Sequence, residues 1–211
     1  MLGANDGIVS TASLAIGVAA ADSSRTAVLT ATIAGLIGGA MSMAAGEYIS
    51  VSSQRDAEQA DIWIEAVAIE ENRLAEQREL ARIYESRGVE PGLARLVSEQ
   101  LMAHDPVGAH ARDELGITEL ATARPSQAAW TSALAFATGA TLPLLAAALA
   151  PSGARIAVIA FASLLALLGL GALGAQLGGA PWKRGATRVL VWSSLAMAAT
   201  YVIGRIVGAN I

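Results

Sequence analysis

Five long runs of the chain carry no charged residue, and they constrain the fold more than any other feature. They cover residues 7–21, 26–46, 125–154, 156–182 and 189–204. A bilayer-spanning helix needs about 20 mostly apolar residues, and it satisfies its backbone hydrogen bonds without water. The second, third and fourth runs are long enough to span a bilayer. The fifth run is long enough if its helix extends beyond Arg205, and the first run is long enough only if its helix includes Asp6. The pattern therefore predicts an all-α membrane protein with five transmembrane helices.

Most of the charged residues lie between the second and third runs, in residues 54–124. Over the whole chain only 15% of residues are charged, and the mean hydropathy is +0.51, whereas soluble domains carry about 25% charged residues. We therefore predict transmembrane helices 1 and 2 in residues 1–50, a helical cytosolic insert in 51–124, and helices 3 to 5 in 125–211. The net charge of −4 leaves no basic patch for nucleic acid. The absence of cysteine excludes disulfides and thiolate metal sites.

Positively charged turns orient the bundle, because basic loops stay on the cytosolic side. The turn between helices 4 and 5 carries Lys183, Arg184 and Arg188, and the insert carries most of the other basic residues. Five spans with both regions on one side give a cytosolic N-terminus, a cytosolic insert and an external C-terminus. A cleaved signal peptide is the alternative for the first run, although no basic stretch precedes it.

The insert is predicted to consist of three helices. Residues 54–85 contain no proline and many good helix formers, which predicts one long helix. Gly88 suits the end of that helix, and Pro91 suits the start of a second helix over 92–103. The pair Asp105-Pro106 is predicted to open a third helix over 106–115.

Acidic residues of the long insert helix are predicted to share one face. At about 100° per residue, Glu58 and Glu76 fall about 20° from Glu65. Asp61 and Glu79 fall about 40° from Glu65 on the other side, by the same spacing. Like charges so close destabilise an isolated helix, so this face is either an ordinary solvent-exposed surface or a cation site. Carboxylate oxygens suit divalent ions such as Mn²⁺ and Fe²⁺.

Two further groups of residues add candidate ligands. Glu47 lies five turns before Glu65, and Met43 lies one turn before Glu47. If helix 2 continues into the insert, Glu47 and Met43 therefore lie on the same helix face as Glu65. His110 and Glu114 form an i,i+4 pair that could hold one ion or could be a simple surface contact.

Asp6 stands at the head of the first apolar run, in GANDGIVSTASLAIGV (residues 3–18). An ionisable side chain within a span is costly and is a functional candidate by default. Because a carboxylate can bind either a proton or a metal ion, Asp6, Met43 and Glu47 are predicted to form a transport path. The alternative is that Asp6 only caps the N-terminus of helix 1.

Three segments carry a resemblance to a known family. They are GANDGIVSTASLAIGV (3–18), GGAMSMAAGEYISVSSQRDAE (38–58) and GAHARDELGI (108–117). The chain resembles the vacuolar iron transporter family, in its bacterial and nodulin-like branch, over essentially its whole length. The resemblance implies a homodimer of five-helix protomers in a bacterial cytoplasmic membrane, with a metal-binding insert. It implies export of Fe²⁺ or Mn²⁺ from the cytosol in exchange for protons, with the ion as substrate and no cofactor.

The resemblance also assigns roles to residues. It implies a path through Asp6 and Met43, and insert ligands Glu65, Glu76, Glu79 and Glu114. His110 stands where plant members of the family have a methionine ligand, and Ala68 stands where the family has an acid. A helix-2 glutamate of the plant members falls near Gly35, and the resemblance implies that Glu47 substitutes for it. The additional candidate metal ligands are Glu58, Asp61, Glu71 and Met41. Family members usually have a longer helix 1 before GANDG, so the resemblance implies residues upstream of Met1.

Two other functions are alternatives to transport. A membrane-attached di-iron enzyme would need Glu-x-x-His pairs, and no glutamate lies three residues before His104 or His110. We therefore predict that the chain is not an enzyme. A membrane-tethered protein that binds metal without moving it is the second alternative, and Asp6 and Glu47 argue against it because such a protein needs no acid in its spans.

Overall fold

The computed structural model describes residues 1–21, 24–117 and 123–209, and these residues form helices with no strand. In chain order the α-helices are α1 (Leu2–Ala20), α2 (Arg25–Ser86), α3 (Pro91–His104), α4 (Pro106–Asp113), α5 (Pro125–Leu149), α6 (Arg155–Leu177) and α7 (Trp182–Gly208). A short 3-10 turn, Ser152–Ala154, precedes α6. The all-α prediction is confirmed.

Five helices of the described chain are long and apolar enough to cross a membrane: α1, α2, α5, α6 with its preceding 3-10 turn, and α7. The prediction of five spans is confirmed. Helix α1 begins at Leu2, with Met1 as its N-cap, so Asp6 lies one turn inside the helix. The alternative in which Asp6 is the N-cap is therefore wrong. The Asp6 carboxylate instead accepts a hydrogen bond from the Ser10 hydroxyl at 2.7 Å.

The chain divides into two compact units. The first, called here the membrane unit, comprises Met1–Tyr48 and Ser126–Ile211, and the second, called the insert unit, comprises Ile49–Pro125. The core of the membrane unit consists mainly of small and aliphatic side chains, among them Ala12, Ile16 and Leu167. Large apolar side chains such as Phe161 are exposed on its outside, as expected of helices that face lipid rather than water.

Glycines lie at close helix contacts in the membrane unit. A Cβ added at Gly7 of α1 would overlap the Phe136 carbonyl oxygen of α5. A Cβ added at Gly204 of α7 would overlap the Gly17 carbonyl oxygen of α1. Small residues at these positions let the helix backbones touch, which is a common mode of packing in membranes.

The insert unit has a small apolar core and well-defined helix boundaries. Ile69, Leu80, Met102 and Ala109 form the core. Glu90 caps α3 by accepting from the Leu93 amide, and Asp105 caps α4 by accepting from the Gly108 amide. The predicted starts of both helices agree with the structure to within one residue, whereas α4 ends at Asp113, two residues earlier than predicted. Gly88, with φ of 93°, ends the preceding helix as predicted.

Helix α2 is interrupted at Asn72, so the prediction of one unbroken helix over residues 54–85 is wrong. Asn72 has φ of −148° and ψ of 69°, which are not helical values. Its side-chain Oδ1 accepts a hydrogen bond from the Ala75 amide at 3.1 Å, which is the contact of an N-cap. The two segments are called here α2a (residues 25–71) and α2b (residues 73–86).

Candidate metal centre

The break at Asn72 brings together two acids that a straight helix would separate. Glu65 on α2a and Glu76 on α2b lie eleven residues apart, which on a continuous helix is about 16 Å along the axis. One ligand atom each from Glu65, Glu76 and His110 nevertheless lie within 4.8 Å of one another. The prediction that these acids share one face of a single straight helix is therefore wrong, although Glu65 and Glu76 do lie close together.

His110 on α4 is the centre of the cluster. Its side chain is fully buried, and its Nδ1 is hydrogen-bonded to Glu114 Oε2 at 2.9 Å. Glu65 Oε1 lies 2.8 Å from the same nitrogen but makes no hydrogen bond with it. Because one ring nitrogen carries at most one proton, it cannot satisfy both carboxylates. A cation between these atoms would supply the missing positive charge.

Electrostatics at Glu65 show how much negative charge the cluster holds. Burial raises the pKa of Glu65, His110 opposes that rise, and the charges of Glu114, Glu76 and Glu79 raise it further. Glu79 itself is exposed, so it lies at the edge of the cluster rather than inside it. Like charges this close cost free energy unless a counter-charge is present.

The position of the cluster on α4 also favours a cation. His110 lies in the last turn of α4, and Glu114 directly follows the end of that helix. The C-terminal end of a helix carries a partial negative charge and stabilises nearby cations. Carboxylate oxygens with one imidazole nitrogen form a donor set that suits Mn²⁺ and Fe²⁺. The residues present therefore fit a divalent transition-metal ion.

The remaining insert candidates lie elsewhere on the described surface. Glu58 is half-buried and accepts a hydrogen bond from the side chain of Gln54 at 2.8 Å. Asp61 and Glu71 are exposed. The structure does not bring these three acids into the group formed by Glu65, Glu76 and His110, and their role as ligands stays a prediction.

A second candidate site lies in the membrane unit, where Asp6 and Met43 line one cavity of about 510 Å³. Its other lining residues are Leu2, Asn5, Val9, Arg188, Val189, Trp192 and Ser193. Glu47 and Met41 are exposed and are not among the residues that line it. Sequence reasoning missed Asn5 and Arg188. The sequence pattern identifies Arg188 only as part of a basic turn, although its four-residue spacing from Trp192 places both on one helix face.

Fold and sites together define a class: a helical membrane protein with candidate cation ligands both in its spans and in a polar insert. The chain belongs to the VIT family, whose model matches residues 1–205. This confirms the resemblance drawn from the three segments. VIT proteins are transporters and not enzymes, which also confirms the prediction that the chain is not an enzyme.

Similar proteins carry matching names. The chain is 44% identical to a vacuolar iron transporter of Acanthamoeba castellanii (strain ATCC 30010 / Neff), over 97% of this chain and 76% of the relative. It is 40% identical to vacuolar iron transporter homolog 1 of Oryza sativa subsp. japonica, over 99% of this chain and 72% of the relative. It is 36% identical to vacuolar iron transporter homolog 2 of Arabidopsis thaliana, over 99% and 82%.

Proposed function

We propose that this protein exports Fe²⁺ or Mn²⁺ from the cytosol across a membrane in exchange for protons. The observation that carries the proposal is the buried His110 nitrogen with two carboxylate oxygens within 2.9 Å of it. The iron-transporter names of the relatives support the choice of ion class. The oxygen and nitrogen donors account for Mn²⁺ as well as Fe²⁺.

The first step of the proposed mechanism is capture of the ion by the insert unit. Glu65, Glu76 and His110 supply the inner ligands, and Glu79 and Glu114 supply charge at the edge. Binding requires that the proton on the His110 nitrogen and any proton on Glu65 leave, because metal ligands must be deprotonated. The raised pKa of Glu65 makes that carboxylate a site where protons and metal ions compete.

The second step is passage through the membrane unit at Asp6 and Met43. The Asp6 carboxylate binds either the ion or a proton, so it exchanges one for the other. The Met43 thioether is a soft ligand that accepts Fe²⁺ and disfavours Mg²⁺ and Ca²⁺. Glu47 is assigned a supporting role on the same helix, as a charged residue beyond the cavity lining.

The proposal includes the setting of the protein. The basic residues of the insert and of the turn before α7 support a cytosolic N-terminus and a cytosolic insert. The resemblance supports a homodimer and a bacterial cytoplasmic membrane. The exposed apolar side chains of the five spans support direct contact with the lipid bilayer.

Flux through liposomes tests the proposal. The protein is reconstituted with a pH-sensitive dye inside the vesicles, and Mn²⁺ or Fe²⁺ uptake and internal pH are followed together. Wild type is expected to move metal and protons in opposite directions, and Asp6→Asn is expected to lose both fluxes. Ser10→Ala, which keeps the acid and removes only its hydrogen bond, is the matched control and should retain flux. Metal binding without flux in wild type would instead establish a membrane-tethered metal-binding protein.

A further inference from the structure

A hydrogen-bonded cluster next to the metal ligands has no role in the function proposed above. The Tyr84 hydroxyl donates to Asp113 Oδ2 at 2.8 Å. Arg87 Nη1 donates to Asp113 Oδ1 at 2.8 Å, and Arg87 Nη2 donates to the Asp113 main-chain oxygen at 2.7 Å. Arg112 also reaches Asp113 Oδ2, at 3.1 Å. The group formed by Tyr84, Arg87 and Asp113 is called here the α4 clamp.

The clamp joins two of the three helical segments that carry ligands, α2b and α4. Tyr84 lies near the end of α2b, the segment that carries Glu76 and Glu79, and Arg87 lies just beyond it. Asp113 is the last residue of α4, three residues after His110 and directly before Glu114. The Asp113 side chain is only 10% exposed, whereas that of Arg87 is 48% exposed, so the accepting carboxylate of these charged hydrogen bonds is largely shielded from water while the Arg87 donor is not.

Two observations show why α4 needs such a clamp. Helix α4 has eight residues, and a helix this short is not stable without tertiary contacts. His110 Nε2 is buried and has no hydrogen-bond partner among the described residues. A metal-binding histidine usually fixes its ring by donating from the second nitrogen to a neighbouring group. Here the orientation of the ring depends on where α4 itself is held.

We propose that Tyr84, Arg87 and Asp113 are positioning residues for the metal centre. The clamp fixes the rotation and position of α4 along α2b, so that His110, with Glu114 hydrogen-bonded to it, stays beside Glu65 and Glu76. Its loss leaves every ligand in the chain but misplaces two of them. This inference rests on the proposed function, because it takes the cluster around His110 as the ion-capture site.

Metal titration of the full-length protein in detergent tests the clamp. Mn²⁺ affinity is measured by calorimetry, and the visible absorption of bound Co²⁺ reports the coordination geometry. Tyr84→Phe removes one hydroxyl, and Asp113→Asn removes the charge that Arg87 contacts. Both variants are expected to weaken Mn²⁺ binding about tenfold or more and to alter the Co²⁺ spectrum. Glu90→Ala removes the α3 cap and is the control for a loss of stability away from α4.

The outcomes separate the clamp from the site it serves. Weakened Mn²⁺ binding and a changed Co²⁺ spectrum in Tyr84→Phe and Asp113→Asn, with wild-type values in Glu90→Ala, establish the positioning role. Wild-type affinity and spectrum in both clamp variants overturn it, even if their melting temperatures fall. If wild type itself binds no Mn²⁺, the proposed capture site fails, and the clamp's role fails with it.

Discussion

The membrane unit and the insert unit are held together in different ways. In the membrane unit, backbones touch at glycines such as Gly7 and Gly204, and the core is built of small and aliphatic side chains. In the described part of the insert unit, the apolar core cluster has four buried members, and a buried histidine lies against two carboxylates. The stability of the membrane unit therefore depends mainly on close packing, whereas that of the insert unit depends more on charge and hydrogen bonds.

This difference predicts different responses to the ion. A ligand that binds only the folded state stabilises it by mass action, and in the insert the ion would also relieve repulsion among Glu65, Glu76 and Glu114. At the glycine contacts of the membrane unit, the neighbouring atoms in the described part of the chain belong to uncharged residues. This difference between the units can be tested with variants that change metal affinity at the insert unit or the stability of the membrane unit, but not both.

The largest effect is expected for Glu65→Gln. It removes the buried carboxylate nearest His110, and loss of a group that merely supports a metal ligand already costs about 10- to 100-fold in metal affinity. We expect Mn²⁺ affinity to fall about 100-fold in calorimetry. Glu70→Gln, an exposed acid on the same helix, is the control and should bind as wild type. Equal affinity in both variants would remove Glu65 from the ligand set.

The next effect is expected in the membrane unit, for Gly7→Ala. The added methyl group would overlap the Phe136 carbonyl oxygen, so α1 and α5 must move apart, at a cost of about 2 kcal/mol. We expect a lower melting temperature in detergent and unchanged Mn²⁺ affinity at the insert. Gly169→Ala is the control because a Cβ there meets nothing within 4 Å. A drop in Mn²⁺ affinity in Gly7→Ala would break the comparison between the units.

The pH dependence of Mn²⁺ binding is a smaller effect. Burial raises the pKa of Glu65 above its ordinary value of 4.5, so this carboxylate holds its proton to a higher pH, and the ion must displace it. Affinity should fall as the pH drops through that raised pKa. The Glu65→Gln variant should lose up to about one decade per pH unit of this dependence. Identical pH slopes in wild type and variant would contradict the assignment.

Protonation of Glu65 weakens metal binding, but it has the opposite effect on the stability of the metal-free protein. A group whose pKa is raised on folding stabilises the folded state below its unfolded-state pKa, and that contribution is lost as pH rises through the folded-state pKa. Protonation of Glu65 therefore stabilises the insert in the absence of metal while it weakens metal binding. Thermal melts with and without Mn²⁺ over the same pH range would show this change of sign.

Local signals in the sequence predicted the insert helices well. Gly88, Pro91 and Asp105 act through their own backbone preferences, so the boundaries near them follow from the sequence alone. The transmembrane spans can also be predicted from local sequence, because a long charge-free run is a property of composition. Arg188 is different, since its place beside Asp6 depends on how α7 packs against α1.

The two acids of the metal centre were predicted for a reason that the structure corrects. Eleven residues are close to three full turns, so Glu65 and Glu76 share a face on a straight helix. Their actual proximity depends on the break at Asn72, which no proline or glycine announces. Asparagine is a preferred N-cap residue, and this was the available signal for the break within a run of good helix formers.

The smallest effect is expected for Asn72→Ala. The variant loses the side-chain acceptor for the Ala75 amide and favours continuation of the helix, which together cost about 1 kcal/mol. A population with α2a and α2b in line would separate Glu65 from Glu76, so we expect Mn²⁺ affinity to fall about fivefold, the equivalent of that cost. Asn72→Asp keeps a capping oxygen and should bind as wild type. If Asn72→Ala also binds as wild type, the apolar core that contains Ile69 and Leu80 holds the break between α2a and α2b without the cap.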